Sequence, residues 1–390
     1  MATKVNILII GGSFAGILTA HALLKAIPTA QITIINPSKN FYFNIASPRI
    51  LAKPGAIPTS DYLLSIKSLF VEYSSESFAF VEGKVISIEV AEKFVTLEER
   101  TVVHWDYLII ASGSTTSSTI GRESDIATWK SPKSGNIEYL IKTTQERIAS
   151  AKSVVIGGAG PVGIEFAGEL AETLTSDKEN RTITLISATN RLLPNVREAV
   201  GIHAEQILRG KNVEILKGSR VVSAVRNGEM REWTVTLESG QELLADLYIS
   251  TTGVRPDNQY IPADFLSSDG WMVVDEHLQV KNSNPAYNDK GSSKLPIFAL
   301  GDVTIHEPRI VRNIKDQVPI LVANLKADIE GVHDSSRPTY APSPINSIMI
   351  PIGQRDGTGL FFGIVPWGSL VWMVKGRNYL VPWVRGFLSG

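Results

Sequence analysis

The chain of 390 residues contains no cysteine. That excludes a structural disulfide, a thiolate metal site and a redox dithiol, and with them any disulfide-reductase chemistry. Histidine is scarce as well. The six present (His21, His104, His203, His277, His306 and His333) never fall at HxH or HExxH spacing, so no metal site is expected and they read as ordinary core or surface residues. Net charge is nearly absent: 38 Lys+Arg against 39 Asp+Glu give -1, which supplies no global attraction to nucleic acid, and no such partner is expected. Only Met1 to Lys4 precede the first apolar run, so no signal or transit peptide is expected. Ala2 stands where N-myristoylation needs glycine, so that anchor is not expected either. From Gly357 to Gly390 there is no acidic residue.

What the chain does have is a stretch around which the rest is arranged, Lys4 to Leu24. An apolar run, Val5 to Ile10, ends in Gly11, Gly12, Ser13, Phe14, Ala15 and Gly16, then passes into an Ala/Leu-rich helical pattern. A strand, a tight glycine turn and a helix bring bare backbone N–H groups and the positive end of a helix dipole to one point, which suits a pyrophosphate. A second copy occupies Ser153 to Leu170, with Gly158, Gly160 and Gly163 in the turn. Two such sites on one chain imply electrons moving between two nucleotide cofactors.

The chain is too long for one ordinary core. Its two halves repeat the same order of parts. Each opens with a strand-turn-helix-strand unit, continues through a β-rich region and closes with an acid-led apolar strand, Asp106 to Gly113 in one and Asp246 to Gly253 in the other. We therefore expect an α/β protein of two nested Rossmann-like dinucleotide-binding domains with a small C-terminal α+β segment. The expected division is residues 1–115 and 258–345 for one nucleotide, 116–257 for the other, and 346–390 for the tail. The segment 114–150 reads as a crossover that becomes helical around Ile137 to Ile148, the polar stretch 283–294 as a surface loop, and Ile314 to Gly331 as a helix.

Candidate site residues follow from these turns. Gly11 makes the first turn, Ser13 stands where the backbone approaches phosphate, and Gly16 packs helix on strand; the serine Cβ narrows that approach. Asn36 ends the second strand, where a carboxylate usually receives a ribose, and offers a weaker acceptor. Ser112-Gly113 and Gly253 are the small-residue turns closing each half. In the second half Glu165 lies in the first helical turn, where the dipole favours a carboxylate. Ser187 ends the next strand with Arg191 shortly after, so nothing repels a 2′-phosphate and both NADH and NADPH stay open. Gly301-Asp302 follows a buried strand; its carboxylate can receive polyol hydroxyls or act as a plain turn aspartate. Lys315, just beyond, is either a cation beside a cofactor or a solvated surface lysine.

The tail carries Lys375, Arg377 and Arg385 interleaved with Trp367, Trp372 and Trp383. Basic and aromatic residues among Leu, Val and Phe suit an interfacial membrane segment. Gly357 to Val374 is uncharged and about long enough to span a bilayer, but Pro366 and the glycines argue against a spanning helix. The alternative is a β-hairpin plus helix that completes the first nucleotide domain. The two are compatible.

With Gly11 to Gly16, Gly158 to Glu165 and Ile297 to Asp302 in that order, the whole chain resembles the FAD-dependent pyridine nucleotide oxidoreductases of two-dinucleotide-domain type. Phe41 to Asn44 leading to Pro48-Arg49, the cysteine-free middle, and Lys375-Gly-Arg377 resemble the apoptosis-inducing-factor-like (AMID-type) branch with its fungal members. The resemblance implies FAD pyrophosphate on Gly11, Ser13 and Gly16, Arg49 near the flavin or its phosphates, Val85 meeting adenine through its backbone, and Asp302 on the ribityl hydroxyls. It implies NAD(P)H on Gly158, Gly160 and Gly163, with Glu165 near the nicotinamide. The expected activity is hydride transfer from NADH or NADPH to flavin and onward to a quinone-like acceptor. O2, a small redox protein, or a sensing role with low turnover stay open. A cytoplasmic monomer or homodimer is expected, peripheral on a membrane such as a lipid droplet or the outer mitochondrial surface.

Overall fold

Parallel strands organise both halves of the computed structural model, which describes residues 4–116, 129–132, 136–174, 181–227, 232–282, 295–332, 337–345 and 347–389. The segment 283–294, expected as a surface loop, lies outside them. The first sheet has the order Ile297–Ala299, Tyr107–Ile110, Asn6–Ile10, Gln31–Asn36, Phe78–Glu82. All four pairings are parallel, and the strand Ile297–Ala299 comes from beyond the second half to extend the first. The second sheet repeats the design with Val213–Leu216, Thr182–Ile186, Ser153–Gly157 and Leu247–Ser250. Such strands are covered on both faces, which is why they read as continuous apolar runs. Each half also carries a three-stranded antiparallel meander, Val85–Glu89 to Val102–His104 and Val221–Arg226 to Glu242–Ala245.

The repeated acids have a structural task. Asp106 accepts the Asn6 N–H at 2.7 Å, and Asp246 accepts the N–H groups of Lys152 and Ser153 at 2.7 and 2.8 Å. In each half the last strand thus holds the first residues of the founding strand, whose donors no ladder would otherwise meet. The halves are joined by an antiparallel ribbon, Ser114–Thr116 against Val254–Pro256.

The helix Phe14–Ala26 is apolar on every side, and ten of its thirteen residues are buried between the first sheet and the helix Val311–Ile329. His21 within it stacks on Phe70 at 4.1 Å between ring centres. Burial lowers its pKa to about 4, so it is a neutral core histidine. The expected crossover helix spans Ile137–Ser150.

The tail corrects one expectation. A β-hairpin does form, Ser347–Ile352 with Asp356–Phe361, but it packs on the second half's helices Pro161–Leu174 and Glu198–Gly210. Gly168 explains the choice: a Cβ there would lie 2.7 Å from Gly353 N and from Ile352 Cα, so only glycine lets the hairpin approach. The short helix Val384–Leu388 then returns to the first half, where Phe387 meets Phe14 edge-on at 5.7 Å. No helix among the described residues is long and apolar enough to cross a membrane.

Candidate functional site

The first glycine turn sits at the carboxyl ends of the first sheet's strands. Gly11 has φ +116°, and a Cβ there would lie 2.4 Å from the Ala111 carbonyl oxygen; a Cβ on Gly16 would lie 1.8 Å from that of Gly11. Both are glycine because backbone passes against backbone. Ser13 is exposed and makes no side-chain capping bond, so its hydroxyl is available to a phosphate at the start of the helix. Asn36 accepts the Gly12 N–H at 2.9 Å and donates to the Ser38 carbonyl at 2.7 Å, so its amide is held in one orientation. Gly83 donates to the Asn36 carbonyl at 3.0 Å, bringing the Gly83 to Val85 backbone to the same strand edge.

Asp302 lies across this edge. Its Oδ2 accepts from Lys130 at 2.8 Å and from Ser114 at 3.0 Å, while Oδ1 has no partner among the described residues. Burial pushes this carboxyl up, but the Lys130 ammonium and the Ser114 hydroxyl outweigh it and hold it below the ordinary aspartate value. An ionised carboxylate with one vacant oxygen beside a glycine turn fits a polyol-bearing dinucleotide such as FAD. Lys130 was not found in the sequence, where it lies in a Ser/Thr/Lys-rich crossover without pattern. Ser112 is used internally, donating to the Asp257 carbonyl at 2.9 Å, and Gly113 and Gly253 (φ +72° and +59°) each turn the chain into one strand of the ribbon.

At the second turn Gly158 has φ +114°, with Thr251 Oγ1 at 2.7 Å from its would-be Cβ, and a Cβ on Gly163 would lie 2.0 Å from the Gly158 carbonyl oxygen. Gly160 differs. Nothing lies within 4 Å of its would-be Cβ, so no neighbour within the protein demands glycine there. A glycine with open space at its Cβ position between two packed ones is what the approach of a pyrophosphate needs, so this turn fits a second dinucleotide. A cavity of about 260 Å³ adjoins it, lined by Gly158, Ala188, Arg220, Tyr248 and Thr252 among others. Ser187 and Arg191 close the loop beside it, the Ser187 hydroxyl donating to the Arg191 carbonyl at 2.9 Å.

From the same turn the helix Pro161–Leu174 carries Glu165, Glu169 and Glu172 along one face, at positions i, i+4 and i+7. All three carboxylates are met by cations from outside the helix. Lys375 of the tail reaches Glu165 at 2.6 Å. Arg49 and Lys53 meet Glu169 at 2.7 and 2.9 Å, and Lys53 and Lys211 meet Glu172 at 2.7 and 3.1 Å. The buried Glu165 carboxyl is raised above the ordinary value, by burial first and by Glu169, against the pull of Lys375.

Two of the expected site residues are engaged within the protein. Arg49 is not free to meet a flavin: it is buried, forked onto Glu169, donates to the Arg377 carbonyl at 3.1 Å and lies 4.6 Å over the Tyr379 ring. The anion its guanidinium meets in this structure is the carboxylate of Glu169. Lys315, expected either beside a cofactor or as a surface lysine, is exposed, with Nζ 4.0 Å over the Phe387 ring. Of this stripe Glu165 alone stood out in the sequence, though helical spacing could have shown all three; their partners lie 39 to 210 residues away and left no signal. No group of three or more His, Asp or Glu side chains able to hold a metal occurs among the described residues.

A family model described as pyridine nucleotide-disulphide oxidoreductase matches residues 5–319. An oxidoreductase named phnG from Penicillium herquei is 31% identical over all of this chain and 97% of its own length. Ferroptosis suppressor protein 1 of Homo sapiens is 26% identical over 96% of this chain and 94% of its own. Among solved structures, the sulfide:quinone oxidoreductase of Aquifex aeolicus superposes with a TM-score of 0.74 at 20% identity, covering 98% of this chain and 92% of that one. The chain, with two dinucleotide turns on twin parallel sheets, belongs to the pyridine nucleotide-disulphide oxidoreductase family, as an apoptosis-inducing-factor-like member that uses FAD and NAD(P)H.

Proposed function

We propose that this flavoprotein oxidoreductase passes the electrons of NAD(P)H to a quinone-like acceptor. The observation that carries the reading is the tail. The segment that delivers Lys375 to Glu165 also exposes Phe362, Ile364, Trp367, Met373 and Trp383, each at least 63% accessible, so one element joins the nucleotide turn to an apolar surface. FAD held at the first turn would supply the redox chemistry that links the nicotinamide to the acceptor. The chain's part is binding, orientation and proton handling. Gly158, Gly160 and Gly163 hold the nucleotide phosphates, Gly11, Ser13 and Gly16 hold those of FAD, and Asp302 orients its polyol chain. Reducing a quinone to a quinol with NAD(P)H consumes one further proton, balanced as NAD(P)H + H⁺ + quinone giving NAD(P)⁺ + quinol. Lys375 Nζ, hydrogen-bonded to the buried Glu165, is the group placed to hold that proton. Without cysteine there is no dithiol relay, so the acceptor must reach the flavin directly.

Stopped-flow mixing tests this. Either nucleotide should bleach the flavin, and a short-chain ubiquinone should restore its colour far faster than air alone. A reduced form that persists for minutes in the presence of quinone would favour a sensing protein, and no bleaching by either nucleotide would end the oxidoreductase reading.

The same surface is proposed as a peripheral membrane contact, with Arg377 and Arg385 toward anionic headgroups. Changing Trp367 and Trp383 (80% and 72% accessible) together to serine should weaken co-sedimentation with phosphatidylcholine/phosphatidylserine vesicles by about tenfold or more, from the apolar area lost. Unchanged sedimentation would remove the tail from membrane binding.

A further inference from the structure

The nucleotide preference, open in the sequence, is addressed by a part of the second site that comes from two distant segments. In a dinucleotide-binding unit the end of the second strand faces the adenosine ribose. Here that strand is Thr182–Ile186, and the residues following it are Ser187, Ala188 and Thr189. Their loop is fixed. Thr189 Oγ1 donates to the Arg191 carbonyl at 2.7 Å beside the matching bond from Ser187, and Arg191 itself is tied to the Pro194 carbonyl. A second chain segment is fastened onto this loop: Gly218 N–H donates to the Thr189 carbonyl at 3.0 Å and Ser219 N–H to that of Ser187 at 2.9 Å. Those two bonds set Arg220 at the rim of the cavity that Gly158 and Ala188 line.

Arg220 is the one charged side chain among the described residues lining that cavity. Its side chain is 64% exposed and its only ion pair among the described residues is a long one, 3.9 Å to the also exposed Glu238. An exposed pair at that separation contributes little, so the guanidinium is available. No carboxylate lines the cavity among the described residues, whereas a ribose with two free hydroxyls is ordinarily held by one. A guanidinium fork matches a phosphate group bidentately, and the uncharged hydroxyl of NADH gives it no such partner.

We infer that the chain discriminates in favour of NADPH, with Arg220, held beside Ala188 by the bonds that fasten its segment onto the Ser187 to Thr189 loop, receiving the 2′-phosphate. The inference rests on the proposed use of the second glycine turn for NAD(P)H, and it names which nucleotide that turn prefers. Glu238 is the opposing group: it competes for Arg220 and repels the phosphate.

The test is calorimetric binding of adenosine 2′,5′-bisphosphate against 5′-AMP to the FAD-loaded protein, with kcat/KM for NADPH and NADH alongside. The bisphosphate should bind at least about tenfold more tightly, as one charge-assisted bidentate contact provides. Arg220→Gln should cut that ratio to a few-fold, and Glu238→Gln should raise it. Both positions are exposed, so the folded state is not at stake, and a melting curve checks it. Equal binding of the two ligands, or a ratio unchanged in Arg220→Gln, would overturn the inference. If the bisphosphate preference holds but neither nucleotide bleaches the flavin, the inference stands and the oxidoreductase reading falls.

Discussion

Asp302→Ala should purify largely colourless. The carboxylate lies at the first sheet's strand ends with Oδ2 engaged by Lys130 and Ser114 and Oδ1 open. Its replacement removes the acceptor for polyol hydroxyls and leaves the Lys130 ammonium, 24% exposed, with the Ser114 hydroxyl alone. Hydrogen bonds to a charged group contribute about 1.5–3 kcal/mol each, so losing two should weaken FAD about 100-fold or more. The flavin-to-protein absorbance ratio after desalting, followed by FAD titration, measures this. Asp302→Asn keeps an acceptor without the charge and should fall between. Full flavin occupancy in the alanine variant would refute the role. The pH dependence follows from the sign of the shift. A carboxyl held below its ordinary 3.8 in the folded state contributes stability that is complete above that value and is lost as pH falls through the lower, folded one. FAD retention should therefore be flat from pH 7 to 5, by that argument, and fail only in stronger acid, below about 4.

The second large effect concerns the seam between the halves. Glu169, whose side chain is fully buried, accepts from Arg49 twice, from Lys53, and from the Tyr379 hydroxyl at 3.2 Å. Those partners come from the first half and the tail, while Glu169 belongs to the second half, so one carboxylate pins three parts of the molecule. Arg49→Met removes the bidentate member and leaves a buried anion short of donors, which typically costs about 3–5 kcal/mol. With Lys53 and Tyr379 still in place the lower end is expected, read as a fall of several degrees in the thermal midpoint. The double variant Arg49→Met with Glu169→Leu should recover about 1 kcal/mol or more, since no unpaired charge is then buried. A midpoint for Arg49→Met within about a degree of the parent would show that the pair does not hold the halves together.

The glycine turns show why part of the site was readable. At Gly11, Gly16, Gly158 and Gly163 a Cβ would strike backbone or a packed side chain, so local geometry dictates the residue type and leaves a mark in the sequence. The paired acids Asp106 and Asp246 left a mark for the same reason, each repeating one backbone-capping task. Arg49 shows the limit. The resemblance set its guanidinium near the flavin or its phosphates, but Glu169, 120 residues away, meets it only because two helices cross at the seam. Lys130 and Arg220 carry no local pattern at all.

The amino-acid order alone determined the α/β class, the doubled dinucleotide unit, the absence of dithiol chemistry and the positions of both turns, because each depends on periodicity or on backbone that tolerates no side chain. Only the folded molecule decided which cation meets which carboxylate, that the tail hairpin docks on the second half while its last helix returns to the first, and that Arg220 arrives beside Ala188. Those outcomes are pairings between segments distant along the chain, and a side chain's charge tells what kind of partner it wants without telling where the fold will supply one.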